Sequence, residues 1–118
     1  MHVGKDTSIA SAYILLRANR RLVKLPCSDI LLMEANDDYI KVFVTNWSNF
    51  YLVNMRLKNI EPLLPPDQFC RVHRSYIVGL HHIRYIRDDI VNLGERDVPL
   101  SKSYAMQLYK HFIVLGQI

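Results

Sequence analysis

Residues 69–78 combine strand-forming residues with a concentration of hydrogen-bond donors and positive charge. Arg71, His73 and Arg74 lie among apolar and β-branched residues, and no Asp or Glu occurs from position 68 to position 87. A guanidinium group presents its donors in a planar fork that matches phosphate oxygens and the edge of guanine. A corner between two strands that exposes such donors without a neighbouring carboxylate is typical of a surface that binds an anionic partner.

The same stretch resembles the signature of the LytTR DNA-binding domain, which is usually the output module of bacterial response regulators. The signature positions are Phe69, residues 71–78 and Ile83. Further matching positions, which alone would indicate only ordinary β-strands, are 29–35, Asp38, Tyr39, Val42, Leu57, 99–101 and Tyr104. The resemblance covers roughly residues 13–112. It implies small stacked antiparallel β-sheets that bind double-stranded DNA, and it implies no cofactor.

Gly79 departs from this signature, because the family usually has Asn at the position. Gly and Asn both tolerate a positive φ angle, so we expect the backbone turn here to be kept. A hydrogen bond from the Asn side chain would be absent.

The composition indicates one domain with a substantial core. The chain has 118 residues, of which half are apolar and 10% are aromatic, and its net charge is +4. Two cysteines do not form a disulfide framework, and no apolar run approaches the ~20 residues of a membrane helix. These features favour a reducing, cytoplasmic setting without a membrane anchor. Residues 1–12 lack a signal-peptide pattern and are interpreted as a leader or linker remnant, with the domain spanning 13–118.

Basic residues are concentrated in two acid-free clusters. The first cluster consists of Arg17, Arg20, Arg21 and Lys24, and the second consists of Arg71, Arg74, Arg84 and Arg87. This segregation is compatible with one basic face, and for the first cluster equally with ordinary solvated turns.

Most of the chain has β periodicity. Apolar and β-branched runs predict a hairpin at 13–25, a meander at 30–53, two strands meeting near Arg74 and Ser75, and a hairpin at 83–93. Pro99 favours an edge strand at 97–100. The total is eight to ten short strands. The sequence therefore predicts a mostly β fold, which the resemblance refines to small stacked antiparallel sheets.

Two helices are predicted in addition. Asn54 is a suitable N-cap for a short mid-chain helix, which Pro62 ends. Its apolar face would consist of Met55, Leu57, Ile60, Leu63 and Leu64. Ser101 is the predicted N-cap of a C-terminal helix. The apolar face of that helix would carry Tyr104, Leu108, Phe112 and Leu115.

Three residues are candidates for contacts to DNA bases. Arg74 at the strand corner can donate paired hydrogen bonds to guanine O6 and N7, and the resemblance places a base-reading residue at this position. Tyr39 matches the family's second DNA-contacting loop, and Ser103 matches a third contact region in which arginine is common. Serine makes weaker and less directional contacts, so either fewer bases are read there or Lys102 replaces the missing arginine.

Five residues are candidates for phosphate contacts, namely Lys41, Arg71, His73, Lys102 and Ser101. Ser101 and Lys102 begin the last helix, where backbone N–H groups and the helix dipole favour an anion. For His73, the neighbours Val72 and Tyr76 favour a structural role in the turn over a phosphate contact. The carboxylates of Asp37 and Asp38 oppose a phosphate near Lys41.

The sequence contains little that indicates a metal site or a catalytic site. Cys70 and His73 have zinc-like spacing, but a closed site would require His81 or His82 to fold back across Gly79. We therefore expect no metal. No Gly-rich phosphate loop, nucleophile elbow or metalloprotease helix is present, and adjacent aspartates in an extended chain point to opposite sides. We expect no enzymatic activity.

These observations lead to one main hypothesis and one alternative. The main hypothesis is a sequence-specific domain for double-stranded DNA, the output domain of a two-component transcriptional regulator. The resemblance implies repeated half-sites, a receiver domain N-terminal to this chain, and compatibility with a homodimer on DNA. The alternative is a β-rich protein-interaction or small-ligand module with an incidental basic face.

Overall fold

The computed structural model describes residues 13–117, so the expected leader at 1–12 lies outside the described residues. These residues form ten antiparallel strands in three sheets, two α-helices and three 3-10 turns. The strands are β1 Tyr13–Ala18, β2 Arg21–Pro26, β3 Ile30–Asn36, β4 Tyr39–Val44, β5 Phe50–Val53, β6 Phe69–His73, β7 Tyr76–Gly79, β8 Tyr85–Arg87, β9 Ile90–Asn92 and β10 Asp97–Pro99. The helices are α1 Leu57–Ile60 and α2 Lys102–Tyr109, and the 3-10 turns are Cys27–Asp29, Glu61–Leu63 and Leu80–His82.

A five-stranded central sheet organises the molecule, with strand order β5-β4-β3-β7-β6. Strands β3 and β4 read as nearly continuous apolar runs, because both of their faces are covered. The β1–β2 hairpin lies on one face, and the β8–β9–β10 sheet lies with α2 on the other. The predicted mostly β fold of small stacked antiparallel sheets is therefore confirmed.

Two hydrophobic cores result, one on each face of the central sheet. The first core joins this sheet to the hairpin and to α1, through residues that include Leu16, Leu25, Ile40, Leu57 and Ile77. The second core joins it to the three-stranded sheet and to α2, through residues that include Leu32, Val72, Val91, Val98 and Leu108. Neighbouring residues of β7 point into opposite cores, as the period of two requires.

Local sequence explains the hairpin turns. Asn19 and Arg20 both have positive φ, 53° and 65°, which is the backbone of a two-residue turn between twisted strands. Asp37, Asn46 and Asp88 adopt positive φ at the other predicted turns. Pro99 lies in β10 at the edge of the three-stranded sheet, as predicted.

Both helices are shorter than predicted. Arg56, not Asn54, occupies the N-cap position of α1, and the chain continues after Ile60 as a 3-10 turn containing Pro62. The prediction of Asn54 as the cap was wrong, because Met55 still donates a backbone hydrogen bond to Val53 in a turn. Helix α2 ends at Tyr109, so Phe112 and Leu115 lie beyond it and are exposed instead of forming its apolar face.

Gly79 is required for a different reason from the one expected. Its φ is −78°, which any residue can adopt, so the expected turn with positive φ does not occur. A Cβ at this position would lie 2.5 Å from the carbonyl oxygen of Ile30. The absence of a side chain therefore lets β7 approach the start of β3.

None of the helices within residues 13–117 is long and apolar enough to cross a membrane.

Candidate nucleic-acid interface

Three connections meet at one end of the central sheet. The antiparallel register pairs Asn36 with Tyr39 and His73 with Tyr76, so the β3–β4 turn and the β6–β7 turn lie at the same end. The backbone N–H of Ala35 donates to the carbonyl of Ser75 at 2.9 Å and ties the two turns together. The segment leading from β5 to α1 leaves the sheet at this end too. We call this end the turn edge.

Arg74 is exposed at the tip of the β6–β7 turn, where the sequence predicts a corner. Its side chain forms no ion pair or hydrogen bond with any of residues 13–117. It borders a shallow cavity of about 200 Å³ together with Asp37, Tyr39, Arg56 and Lys58. The guanidinium is therefore available to an external partner.

Arg71 lies beneath the same turn, and its guanidinium is occupied within the protein. Nε donates to the carbonyl of His73 at 3.2 Å, and one terminal nitrogen donates to the carbonyl of Arg74. The other terminal nitrogen pairs with Glu61 at 3.1 Å, and the Arg71 side chain is only 13% exposed. Its Cζ lies 5.8 Å from the ring centre of Tyr104. Arg71 thus connects the turn, the 3-10 turn after α1, and the start of α2.

His73 contributes to the geometry of the turn. Its Nδ1 accepts a hydrogen bond from the backbone N–H of Ser75 at 3.1 Å. Its ring contacts Tyr76 edge to face, with 5.6 Å between ring centres. The acceptor role requires the tautomer that carries no hydrogen on Nδ1.

The first turn of α2 lies beside the end of β6. The backbone N–H of Ser101 donates to the carbonyl of Val72 at 2.9 Å, which fixes the helix start next to the β6–β7 turn. Ser101 occupies the N-cap position as predicted, but its side chain forms no capping hydrogen bond. Lys102 and Ser103 are exposed in this first turn. The structure therefore brings Ser101, Lys102 and Ser103 to the same side as Arg74.

Lys41 is placed differently from the other candidates. It lies in β4 opposite Glu34, and its Nζ lies 4.9 Å above the ring of Phe50. It is half-buried on the sheet face that covers the second core, and it does not border the cavity beside Arg74. Tyr39, one pleat earlier, is exposed and does border that cavity.

The aspartates that could repel an anion are partly compensated. Asp38 forms an ion pair with Arg56 at 2.7 Å, and both side chains are exposed. Asp37 lies in the turn with a positive φ and borders the cavity. Four basic side chains border the cavity, namely Arg56, Lys58, Arg71 and Arg74. The nearby carboxylates are three, namely Asp37, Asp38 in its pair with Arg56, and Glu61 in its pair with Arg71. The surroundings of Arg74 are therefore net positive.

Titratable groups beneath the turn edge are shielded from water. Burial, reinforced by the nearby Glu61, raises the pKa of the Cys70 thiol to about 11. Burial and the hydrogen bond that its hydroxyl donates to Glu34 raise the pKa of Tyr76. Within residues 13–117 no three His, Cys, Asp or Glu side chains are grouped closely enough to hold a metal ion. His82, one residue of the rejected zinc set, contacts the carbonyl of Ser28 at 2.6 Å.

Comparison with known proteins identifies the domain. The family model for the LytTr DNA-binding domain matches residues 20–113. The chain belongs to the LytTR family of DNA-binding domains.

Relatives and a solved structure agree with this LytTR assignment. The chain is 31% identical over 101 residues to the sensory transduction protein LytT of Bacillus subtilis, covering 80% of this chain and 41% of LytT. It is 41% identical over 86 residues to the CO-responsive transcriptional regulator RcoM of Rhodospirillum rubrum, covering 67% of this chain and 36% of RcoM. A solved LytTr DNA-binding domain from Bacillus cereus superposes with a TM-score of 0.72 at 29% identity, covering 85% of this chain and 95% of that one. The chain thus spans less than half the length of these curated relatives.

The sequence analysis did not include two basic residues that lie beside Arg74 in this LytTR domain. Arg56 and Lys58 border the same cavity as Arg74, at the start of α1. Their signal was two positive charges at the beginning of a predicted helix, but the predicted N-cap was Asn54, two residues too early. Only the fold shows that this helix begins beside the β6–β7 turn.

Proposed function

We propose that this LytTR domain binds double-stranded DNA sequence-specifically and that Arg74 is its principal base-reading residue. The observation that supports this most directly is an exposed guanidinium, without an acidic partner among residues 13–117, on a turn that Arg71 braces from beneath. A bidentate contact from such a group to guanine is worth ~1–3 kcal/mol of discrimination between bases. Because Arg71 bonds to the carbonyls of His73 and Arg74, the backbone that carries Arg74 is already ordered, so less backbone conformational entropy would be given up on binding.

The other candidate residues complete this proposed contact surface. Tyr39 and Ser103, both exposed near the turn edge, would reach bases on either side of the Arg74 contact. Ser101 and Lys102 would hold a phosphate at the start of α2, where the helix dipole and the first backbone N–H groups favour an anion. Phosphate contacts set the register of the protein on the duplex, whereas base contacts specify the sequence.

Arg71, His73 and Lys41 are predicted phosphate contacts whose side chains already have partners within the domain. The nitrogens of Arg71 are used by Glu61 and by two turn carbonyls, so we propose that Arg71 acts chiefly by positioning Arg74. His73 would act likewise through its bond to Ser75. Lys41 would reach a phosphate only at the margin of the surface, because its ammonium lies over Phe50.

The proposed mode of binding uses turns instead of a recognition helix. The β3–β4 turn, the β6–β7 turn and the start of α2 would enter neighbouring parts of the major groove. Because these three regions lie on different elements, the duplex would bend to touch all of them, and the energy required for bending would add sequence dependence.

The same proposal extends to the whole protein. The names of LytT and RcoM describe a sensory transduction protein and a transcriptional regulator, and this chain spans less than half of either. We propose that the domain is the output part of a transcriptional regulator whose receiver domain lies N-terminal to this chain. Binding would occur in the cytoplasm, at repeated half-sites, with two domains forming a homodimer on DNA.

Selection from a random pool of duplexes tests the central point. Wild-type protein should enrich a defined motif, and Arg74→Ala should weaken binding to that motif by roughly tenfold to a hundredfold, as expected when a bidentate base contact is removed. Its binding to random duplex should change much less. A salt titration should show log K falling with log salt by roughly 0.9 per phosphate contact.

Arg84→Ala is the matched control. Arg84 is exposed, but it follows the 3-10 turn at the far end of β7 from Arg74. Its removal should leave the selected motif unchanged. Equal losses on motif and random DNA for Arg74→Ala would reduce Arg74 to a phosphate contact, and no duplex binding at low salt would refute the proposal.

A further inference from the structure

An apolar groove of about 530 Å³ lies on the face of the molecule that carries the β1–β2 hairpin. The hairpin forms one wall, the segment from Met55 to Leu64 forms the other, and the central sheet forms the floor. Among the residues that line it are Leu22, Met55, Ile60, Leu63 and Leu64. The turn edge with Arg74 is a separate surface, since the two cavities share only Ile40.

The margins of this groove expose leucines to solvent. Leu15 and Leu22 point outward from the hairpin, and Leu63 on the opposite wall is 72% exposed. Arg17 is the one charged residue that borders the groove among residues 13–117. Large apolar side chains gathered around a cavity mark a surface that binds another apolar group.

A second apolar surface lies just after α2. Residues 112–115 are four consecutive large apolar residues, Phe112, Ile113, Val114 and Leu115, and all are exposed. Ile113 and Leu115 are 89% and 88% exposed, so neither is covered by the remainder of residues 13–117. No charged residue occurs in 112–117, so covering this segment would desolvate no charge. We call residues 112–115 the apolar segment.

His111, the residue directly before the apolar segment, lies near the groove. His111 borders a small cavity together with Glu61 and Leu64, and Leu64 also lines the groove. A two-fold axis passing close to Leu64 would therefore bring the apolar segment of each copy toward the groove of the other. In this arrangement both contacts form simultaneously and the assembly closes as a dimer.

We propose that the groove receives the apolar segment of a second copy of this chain and that two copies exchange these segments reciprocally. This adds a surface to the homodimer proposed above, but it requires neither DNA nor Arg74.

The area to be buried favours reciprocal exchange over a single contact. Each fully buried aliphatic side chain removes on the order of 100 Å² of apolar surface from water. Three residues of the segment and three rim leucines would together bury roughly 600 Å² in one contact. Stable interfaces bury about 1,200–2,000 Å² in total, so one contact falls short and two reach the lower end of the range.

Sedimentation velocity over a range of protein concentrations, without DNA, tests the proposal. Wild-type protein should form dimers. Ile113→Asp with Leu115→Asp in the segment, or Leu63→Asp in the groove wall, should raise the dimer dissociation constant by about tenfold or more, since aliphatic side chains are no longer buried. All three positions are strongly exposed, so these changes should not prevent folding. Met106→Asp, at an exposed apolar position outside the groove and the segment, is the matched control and should have no effect.

Mixing the two variants distinguishes exchange between copies from any other cause. A heterodimer retains one intact contact, formed by the segment of the groove variant and the groove of the segment variant. The mixture should therefore associate more tightly than either variant alone. A monomeric wild type, a dimer insensitive to both changes, or a mixture no tighter than its components would each overturn the proposal. Binding of a single DNA half-site should be unaffected throughout, so failure here is separable from failure of the proposed DNA function.

Discussion

The β1–β2 hairpin and the β6–β7 turn are both basic, with four and two Lys or Arg residues, but they are built differently. The hairpin presents Arg17, Arg20, Arg21 and Lys24 to solvent. Within residues 13–117, these four side chains form one interaction, in which Nζ of Lys24 lies 4.4 Å from the ring centre of Tyr13. The β6–β7 turn has Arg71 bonded to two carbonyls and to Glu61 directly beneath the exposed Arg74. Exposed charges attract a polyanion of any sequence, whereas a guanidinium carried on a backbone of fixed geometry can distinguish bases. The braced turn, not the number of charges, is what suits sequence recognition.

Replacing Arg71, which bonds to the carbonyls of the β6–β7 turn, should have the largest effect of the changes considered on stability and on sequence discrimination. Arg71→Ala deletes a mostly buried guanidinium and leaves Glu61 and two carbonyls without their donor, so the free energy of unfolding should fall by about 2 kcal/mol. Discrimination between the selected motif and random DNA should fall as well, although Arg74 is unchanged. Urea denaturation measures the first effect and duplex competition the second.

Arg56→Ala provides the matched comparison within the same edge. Its ion pair with Asp38 is shorter, at 2.7 Å, but both side chains are mostly exposed. Exposed pairs contribute about 0–1 kcal/mol, so the loss of stability should be clearly smaller than for Arg71→Ala. If the two variants were equally stable, Arg71 would not brace the turn.

Neutralising the hairpin should have a smaller and less selective effect. Arg17→Gln with Arg21→Gln should lower affinity for the selected motif and for random duplex by the same factor. The slope of log K against log salt should become shallower by at most about 0.9 for each phosphate that is no longer neutralised. Filter binding at several salt concentrations measures both quantities. A decrease confined to the selected motif would show that the hairpin also reads sequence, and the contrast between the two regions would fail.

Sequence reasoning located the elements of the turn edge but not its internal connections. The strand periods on either side of Arg74 and Ser75 were sufficient to predict the corner. Arg71 and Arg74 are alike in type and neighbourhood, so sequence alone could not show that one is braced and the other exposed. The difference depends on Glu61 and Tyr104, which reach Arg71 only through the packing of the 3-10 turn and α2.

The helix errors have a related cause. Apolar residues at helical spacing continue beyond Tyr109, but no strand or sheet lies opposite Phe112 or Leu115 in residues 13–117 to receive them. Periodicity reports which residues could share a face, whereas burial depends on whether a partner surface exists. The apolar residues beyond Tyr109 that are not covered belong to the apolar segment, for which we propose contact with a second copy.

The smallest expected effect concerns the alkylation rates of the two cysteines, because Cys27 lies beside the hairpin and Cys70 lies in the β6–β7 region. Cys27 directly follows the hairpin and Cys70 lies in β6 beside Arg71. Both are buried, and burial raises the pKa of each thiol, to about 11 for Cys70. At neutral pH an alkylating reagent should therefore modify either thiol only when the surrounding structure opens.

In Arg71→Ala the labelling of Cys70 should accelerate by more than that of Cys27, because local opening of the β6–β7 region is added to global unfolding. Mass spectrometry of the labelled peptides gives both rates from one sample, with Arg56→Ala as the control. An equal acceleration at both thiols would mean that Arg71 stabilises the domain as a whole. Its bonds to the turn carbonyls would then not distinguish the backbone of the β6–β7 turn from that of the hairpin.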